Sequence, residues 1–176
     1  MPTKPTNRWL LLSSLALLAA ALTLVLRPSP RIATAAPIDL VKVDKSDHTL
    51  SLISNGETIA IFHVALGGNP VGHKQQEGDR RTPEGHYLLD FKKPDSAFFR
   101  AIHISYPNDA DEESAKRRGV RPGGAIMIHG QRNGLGWLSA ASQRFDWTDG
   151  CIALSNKDMQ IVWDLVNVPT PIEISP

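Results

Sequence analysis

The sequence predicts a mostly β domain, a mixture of strands with a few short helices. Strand-length runs that alternate apolar and polar residues recur along the chain. Turn residues punctuate them, with 13 Gly and 13 Pro and little sustained helical periodicity. Between two of these runs stands Asn55-Gly56, a pair that tolerates positive φ at both positions and so signals a two-residue hairpin.

The elements follow in order. Ile38 to Val43 alternates as a half-buried strand does, and Thr49 to Ser54 and Glu57 to Leu66 form the hairpin around Asn55-Gly56. Gly67-Gly68-Asn69-Pro70 ends it, and residues 71 to 84 read as a polar, charged loop. Gly85 to Phe91 and Ala101 to Tyr106 are strand-like. Asp109 to Arg118 is a short polar helix, acidic at its start and basic at its end, as the helix dipole favours. Ala125 to His129 reads as a buried strand, and Gly136 to Gln143 as a short helix. Ser155 is placed to cap a helix running to about Val166, with Asp158 three residues on. Thr170 to Ile174 is the last strand. No internal repeat is visible.

At the N-terminus, Lys4 and Arg8 precede an 18-residue apolar run from Trp9 to Leu26. A basic start before such a run is an export signal, and this length suits either a signal peptide or a membrane anchor. Ala33-Thr34-Ala35 offers a cleavage site, set some way beyond Arg27, Pro28 and Pro30. Residues 1–27 are therefore read as signal peptide or anchor, 28–37 as a flexible linker, and 38–176 as one domain of about 140 residues. Residues beyond the leader are expected on the periplasmic side of the inner membrane, with the membrane as a partner if the leader is retained. The net charge of +1 gives no nucleic-acid footprint.

The chain has one cysteine, Cys151, so an oxidised compartment cannot close an internal disulfide. A reactive thiol is the more economical reading, and a buried inert one the alternative. A thiol nucleophile needs a base, and His129, which ends a short apolar run, supplies an imidazole that titrates in the right range. Gly150 before the thiol permits a tight turn that exposes the side chain and frees backbone N–H groups. The N–H groups of Gly150 and Cys151 are the candidate donors to a developing oxyanion. Asp149 could orient a catalytic group or fill a solvated turn. Its charge beside a thiol would raise the thiol's pKa, so it is expected to point away or to pair with a cation. Thr148 either lines the site or supplies a turn hydroxyl. Metal binding by His129, Asp149 and Cys151 lacks a second ligand pair at zinc spacing, so no metal is assigned.

His129, Thr148, Gly150, Cys151 and Ile152 resemble the signature of the L,D-transpeptidase catalytic domain, the YkuD family: His, a spacer, then Ser/Thr-His-Gly-Cys and a hydrophobic residue. The spacer here, Gly130 to Trp147, is 18 residues. Gly78 to Gly85, Ile104 to Asn108 and Gly123 to Gly130 match further blocks in the family's order, so the likeness covers roughly residues 38 to 175. Two positions depart from it. The family's second His is Asp149, and its Arg two places after the cysteine is Ala153. Thr-Asp-Gly-Cys in place of Ser-His-Gly-Cys resembles the Gram-negative cell-envelope branch, some members of which hydrolyse cross-links.

The resemblance implies a YkuD-like β-sandwich or barrel and an exported cysteine acyltransferase acting on peptidoglycan stem peptides without a cofactor. It implies that the Gly130 carbonyl orients His129. It also sets the Gly78–Gly85 loop beside the groove, so that Arg80 and Arg81, with Thr148 and Asp149, would contact substrate. His73, Lys74, His86 and His103 are weaker candidates, His103 as a residue facing the groove. A hydrolase cleaving cross-links or peptidoglycan–protein links, with a wall-linked lipoprotein as partner, is the alternative. A non-catalytic wall-binding module on the same fold is a remote one.

Overall fold

The computed structural model describes residues 37–176, and the leader and most of the linker lie outside the described residues. Eight strands form one sheet in the order β3-β2-β1-β8-β4-β5-β6-β7. They are β1 (Leu40–Asp44), β2 (Thr49–Ser54), β3 (Glu57–His63), β4 (Gly85–Lys93), β5 (Ala101–Ile104), β6 (Met127–His129), β7 (Ile152–Ala153) and β8 (Thr170–Ser175). Among the described residues three helices accompany them: α1 (Asp109–Arg118), α2 (Ser139–Ser142), preceded by a 3-10 turn at Gly136–Leu138, and α3 (Asn156–Leu165). The sheet is mixed, because β1 runs parallel to β8 and β6 parallel to β7 while the other pairs are antiparallel.

The hairpin turns at Asn55-Gly56, whose φ angles of 51° and 80° are those its two-residue turn requires. The alternation read in β1, β2, β4 and β8 places Val41, Val43, Leu50, Leu52, Tyr87, Leu89, Ile172 and Ile174 in one buried core. Met159 and Val162 of α3 join it, at about 1.5–3 kcal/mol for each such side chain removed from water. Ser155 caps α3 as expected, its Oγ accepting from the Asp158 N–H. α1 carries its acidic first turn and basic last turn, with Asn108 as a cap that pairs reciprocally with Asp111.

Several boundaries differ from the sequence reading: β1 is Leu40–Asp44 rather than Ile38–Val43, β4 runs on past Phe91 to Lys93, and β5 ends at Ile104 rather than Tyr106. Val64, Ala65 and Leu66 do not continue β3. All three are buried, so their backbone needs partners on both sides, and Ala65 exchanges hydrogen bonds with Ala153 at the far edge (2.9 and 2.8 Å). That bridge, with Gly68 N–H donating to the Thr148 carbonyl and Thr148 N–H to the Leu66 carbonyl, ties the end of the β3 hairpin to the turn before Cys151. Ala125 and Ile126 fall outside β6, because Ala125 is left-handed (φ 55°) and breaks the ladder. β7 was not expected, since two residues are too few to carry a period.

The 71–84 segment has no secondary structure but is anchored by buried charge. Lys45, 3% exposed, donates to the Gly72 and Thr82 carbonyls and to Glu84. Lys74, equally buried, pairs with Asp79 at 2.8 Å, and Asp79 also accepts the N–H groups of Gln75, Gln76 and Arg81. Burial opposes ionisation of Asp79, but the Lys74 ammonium and these N–H donors outweigh it and hold the carboxyl at about 2.

Candidate active site

His129 and Cys151 are brought together by the parallel pairing of β6 and β7. Ile128 pairs with Ile152 and His129 with Ala153. Both isoleucines are fully buried in the core, so the residues flanking them, Met127, His129 and Cys151, project from the opposite face. There they line one cavity of about 330 Å³. His129 is 5% exposed, and its Nδ1 lies 2.6 Å from the Gly130 carbonyl oxygen. A carbonyl only accepts, so Nδ1 carries the proton and Nε2 keeps its lone pair. The Gly130 N–H in turn donates to the Phe98 and Arg100 carbonyls, and a Cβ at Gly130 would stand 2.7 Å from Asn156 Oδ1. Position 130 therefore admits only glycine.

The turn carrying the thiol is held from within. Thr148 Oγ1 donates to the Cys151 carbonyl (2.7 Å) and accepts the Gly150 N–H (3.1 Å). Thr148 is 4% exposed and lines the cavity, so the site and turn readings both describe it. The Gly150 N–H assigned above to an oxyanion is thus committed to a hydroxyl, which leaves that role to the Cys151 N–H. Gly150 has φ 127°, and a Cβ there would meet the Arg81 carbonyl oxygen at 2.6 Å. Arg81 touches the site through this backbone contact, while its side chain reaches back to the His73 carbonyl. Arg80 Nε lies 3.6 Å from Asp149 Oδ1, and the Asp149 side chain is 94% exposed. Asp149 thus points outward and pairs with a cation. Neither arginine lines the cavity.

Burial raises the Cys151 thiol above its ordinary value of 9.0 and Asp149 adds to this, against the Met127 N–H and Lys74. Burial likewise pushes His129 below 6.5, opposed by its bond to Gly130. Both shifts favour a neutral thiol beside a neutral imidazole at rest. Proton transfer is then part of the attack rather than a pre-formed ion pair. Sγ lies 3.7 Å from the Ala125 carbonyl oxygen, a weak contact that the left-handed Ala125 presents to it.

The rest of the cavity comes from residues that sequence reasoning passed over: Lys93, Ser96, Ala97, Phe98 and Trp147. Phe98 and Trp147 flank the imidazole with ring centroids 4.8 and 5.8 Å from it. The Trp147 indole N–H is buried with no acceptor among the described residues. The weaker candidates lie elsewhere. His103 stacks on Phe91 at 4.5 Å and bonds Asp90, and it does not line the cavity. His73 accepts the Glu84 N–H on Nδ1 and meets Asp111 through Nε2 at 3.0 Å. Lys74 is the buried partner of Asp79, and His86 is an exposed β4 residue. Ala153, where the resemblance has Arg, is fully buried between His129 and Ala65. No three His, Cys, Asp or Glu side chains converge as metal ligands among the described residues.

Comparison with known proteins identifies the family. The family model for the L,D-transpeptidase catalytic domain, YkuD, matches residues 38–174. The chain is 27% identical over 131 residues to the putative L,D-transpeptidase YafK of Escherichia coli K12, covering 69% of this chain and 51% of that protein. Among solved structures it is similar to a K307A mutant of the helical cell shape determining protein Pgp2 from Campylobacter jejuni. There the TM-score is 0.59 and the identity 26%, over 80% of this chain and 48% of that one. It shares its fold with Bd1075 of Bdellovibrio bacteriovorus (TM-score 0.55, 24% identity, 82% and 50% covered). The chain spans about half the length of these relatives. The matched residues run from just before β1 into β8, and so include every strand that shapes the cavity; the chain belongs to the L,D-transpeptidase catalytic domain family, YkuD.

Proposed function

We propose that this protein is an exported L,D-transpeptidase that acts on peptidoglycan stem peptides through a thioester on Cys151. The observation that carries the reading is the shared face of β6 and β7, where a half-buried thiol and a tautomer-fixed imidazole line one cavity. Nε2 of His129 takes the Sγ proton as sulfur attacks the carbonyl between an L-centre and the following D-residue. The Cys151 N–H meets the oxyanion. Collapse breaks the C–N bond, and the imidazolium returns its proton to the departing amine. An incoming amine, losing its proton to His129, then displaces sulfur and forms a new amide. None of these steps calls for a cofactor. The basic start and apolar run of residues 4–26 support export to the periplasmic side of the inner membrane, by a cleaved or a retained leader. The cell-shape role in the name of the Pgp2 relative suggests the same for this chain.

Hydrolysis is the second reading, in which water resolves the thioester and cross-links or peptidoglycan–lipoprotein links are cut. It is favoured by position 153, where a fully buried alanine leaves no cation to clamp an acceptor's carboxylate. The test supplies tetrapeptide muropeptides, a D-amino acid and a stem-linked protein fragment together, with mass analysis of the products. Cross-linked or exchanged peptides establish transfer, and release without new amide bonds establishes hydrolysis. Unchanged muropeptides would overturn both readings.

A further inference from the structure

The chain between His129 and the nucleophile turn carries its large apolar residues on the outside. The 3-10 turn Gly136–Leu138 runs directly into α2, so the two make one short helical run. Along it Trp137, Ala140, Ala141 and Arg144 follow the spacing i, i+3, i+4, i+7, which is one helix face, and all four are exposed. Leu135 at the entry and Phe145 at the exit add to this face. Trp137 is 78% exposed, Phe145 70% and Leu135 41%. Large apolar side chains exposed together on one stretch mark an interaction surface, whereas singly scattered ones do not.

The polar side chains of the stretch are turned the other way. Ser142 Oγ donates to Gln131 Oε1, and Gln143 Nε2 donates to the Ala153 carbonyl. Asn133 uses both ends of its amide, on the Phe99 N–H and the Ser96 carbonyl. The first acidic residue after His129 is Asp146, and it is held inward by His48 and the Leu66 N–H. What remains outward is aromatic and aliphatic surface with an arginine at each end, Arg132 and Arg144. Neither has an ion-pair partner among the described residues.

That chemistry selects the partner. A sugar chain is gripped by amides and carboxylates set beside an aromatic ring, and here those groups are turned inward. Two copies of the face related by a two-fold axis would bring arginines together with no acid between them. An anionic bilayer surface matches both features: aromatic rings settle at the headgroup level, and guanidinium groups pair with lipid phosphates.

We propose that the outward face of residues 132–145 docks on an anionic lipid bilayer, with Leu135, Trp137 and Phe145 seated among the headgroups and Arg132 and Arg144 on lipid phosphates. This does not depend on the thioester chemistry. Trp147, two residues past Phe145, lines the cavity, so docking fixes how the cavity stands to the bilayer.

The test reconstitutes the full chain into vesicles of phosphatidylethanolamine with phosphatidylglycerol, and separately into phosphatidylcholine, with bromine on the acyl chains. The Trp137 signal is the difference between wild type and Trp137→Phe, which removes the contributions of Trp9, Trp147 and Trp163. In the anionic vesicles brominated lipid should quench Trp137 and its emission should move to shorter wavelength. The ratio of docked to free face should fall about fivefold for each of Arg132→Gln and Arg144→Gln, and about tenfold for Phe145→Ala. These side chains are exposed, so Tm should hold in every variant. Trp137 that stays open to aqueous acrylamide in anionic vesicles would overturn the assignment, as would equal quenching in neutral vesicles or in the double arginine variant. Shielding of Trp137 that grows with protein concentration in lipid-free detergent would assign the face to a second copy instead. Shielding by peptidoglycan glycan strands but not by lipid would assign it to the wall.

Discussion

At Gly150, conformation and space restrict the residue independently. Its φ of 127° lies where side chains are strained, and the Arg81 carbonyl occupies the place of a Cβ. Gly150→Ala is therefore expected to destabilise the domain by about 2 kcal/mol or more, lowering Tm by roughly 4 °C or more, and to reduce turnover. Thermal unfolding checks the first and product release the second. His129 sets the pH dependence. The neutral imidazole is the active base, and burial places its titration below 6.5, so kcat/KM should fall only as pH drops through a midpoint below that value. The Cys151 thiol is raised, so alkylation of the unliganded protein should keep climbing above pH 9. A pH profile with an acid midpoint above 6.5 would contradict this electrostatic account. The identities of Cys151, His129 and Gly150 were legible because chemistry restricts each to very few residue types. The roles of Arg80 and Arg81 were not, because a charge run in a loop does not reveal which way each side chain turns. Arg81 contributes a backbone carbonyl and Arg80 an exposed pairing with Asp149.

The elements around the site owe their positions to a few buried polar anchors. The 71–84 segment is fixed by Lys74 and Asp79, which set the Arg81 carbonyl against Gly150. Asp79→Asn should loosen this segment at a cost on the order of 1–2 kcal/mol at neutral pH. The folded Asp79 carboxyl sits at about 2 against 3.8 unfolded, so its stabilisation is present above 3.8 and is lost as pH falls from there through about 2. The gap between wild type and Asp79→Asn in denaturant unfolding should therefore close over that window. A gap that persists at pH 2 would assign the effect to shape rather than charge. Strands with regular alternation, such as β2 and β8, could be read directly from their period. Val64–Leu66 and β7 could not, because a continuous apolar run and a two-residue strand carry no period, and their pairing across the sheet is long-range. Lys93 escaped notice for the same reason. Its place in the cavity wall depends on register across β4, β5 and β6.

For the molecule as a whole, the sheet order brings three sequence-distant pieces to one cavity: the β4–β5 connection with Phe98, the end of β6, and the turn before β7. Among the described residues no helix is long and apolar enough to cross a membrane. A reporter fused after Pro176 should be active on the periplasmic side of the inner membrane, and activity confined to the cytoplasm would refute export. In the proposed reaction Cys151 carries the acyl group of a stem peptide. Intact-protein mass analysis after brief incubation with tetrapeptide stems, quenched in acid, tests it most directly. An adduct equal to the donor tripeptide acyl group is expected on the wild type and absent from Cys151→Ala, with the terminal D-residue released in equal amount. His129→Ala should slow its formation nearly as severely as Cys151→Ala, without adding to that loss. Turnover by Cys151→Ala, or release of the D-residue with no adduct under any quench, would contradict it.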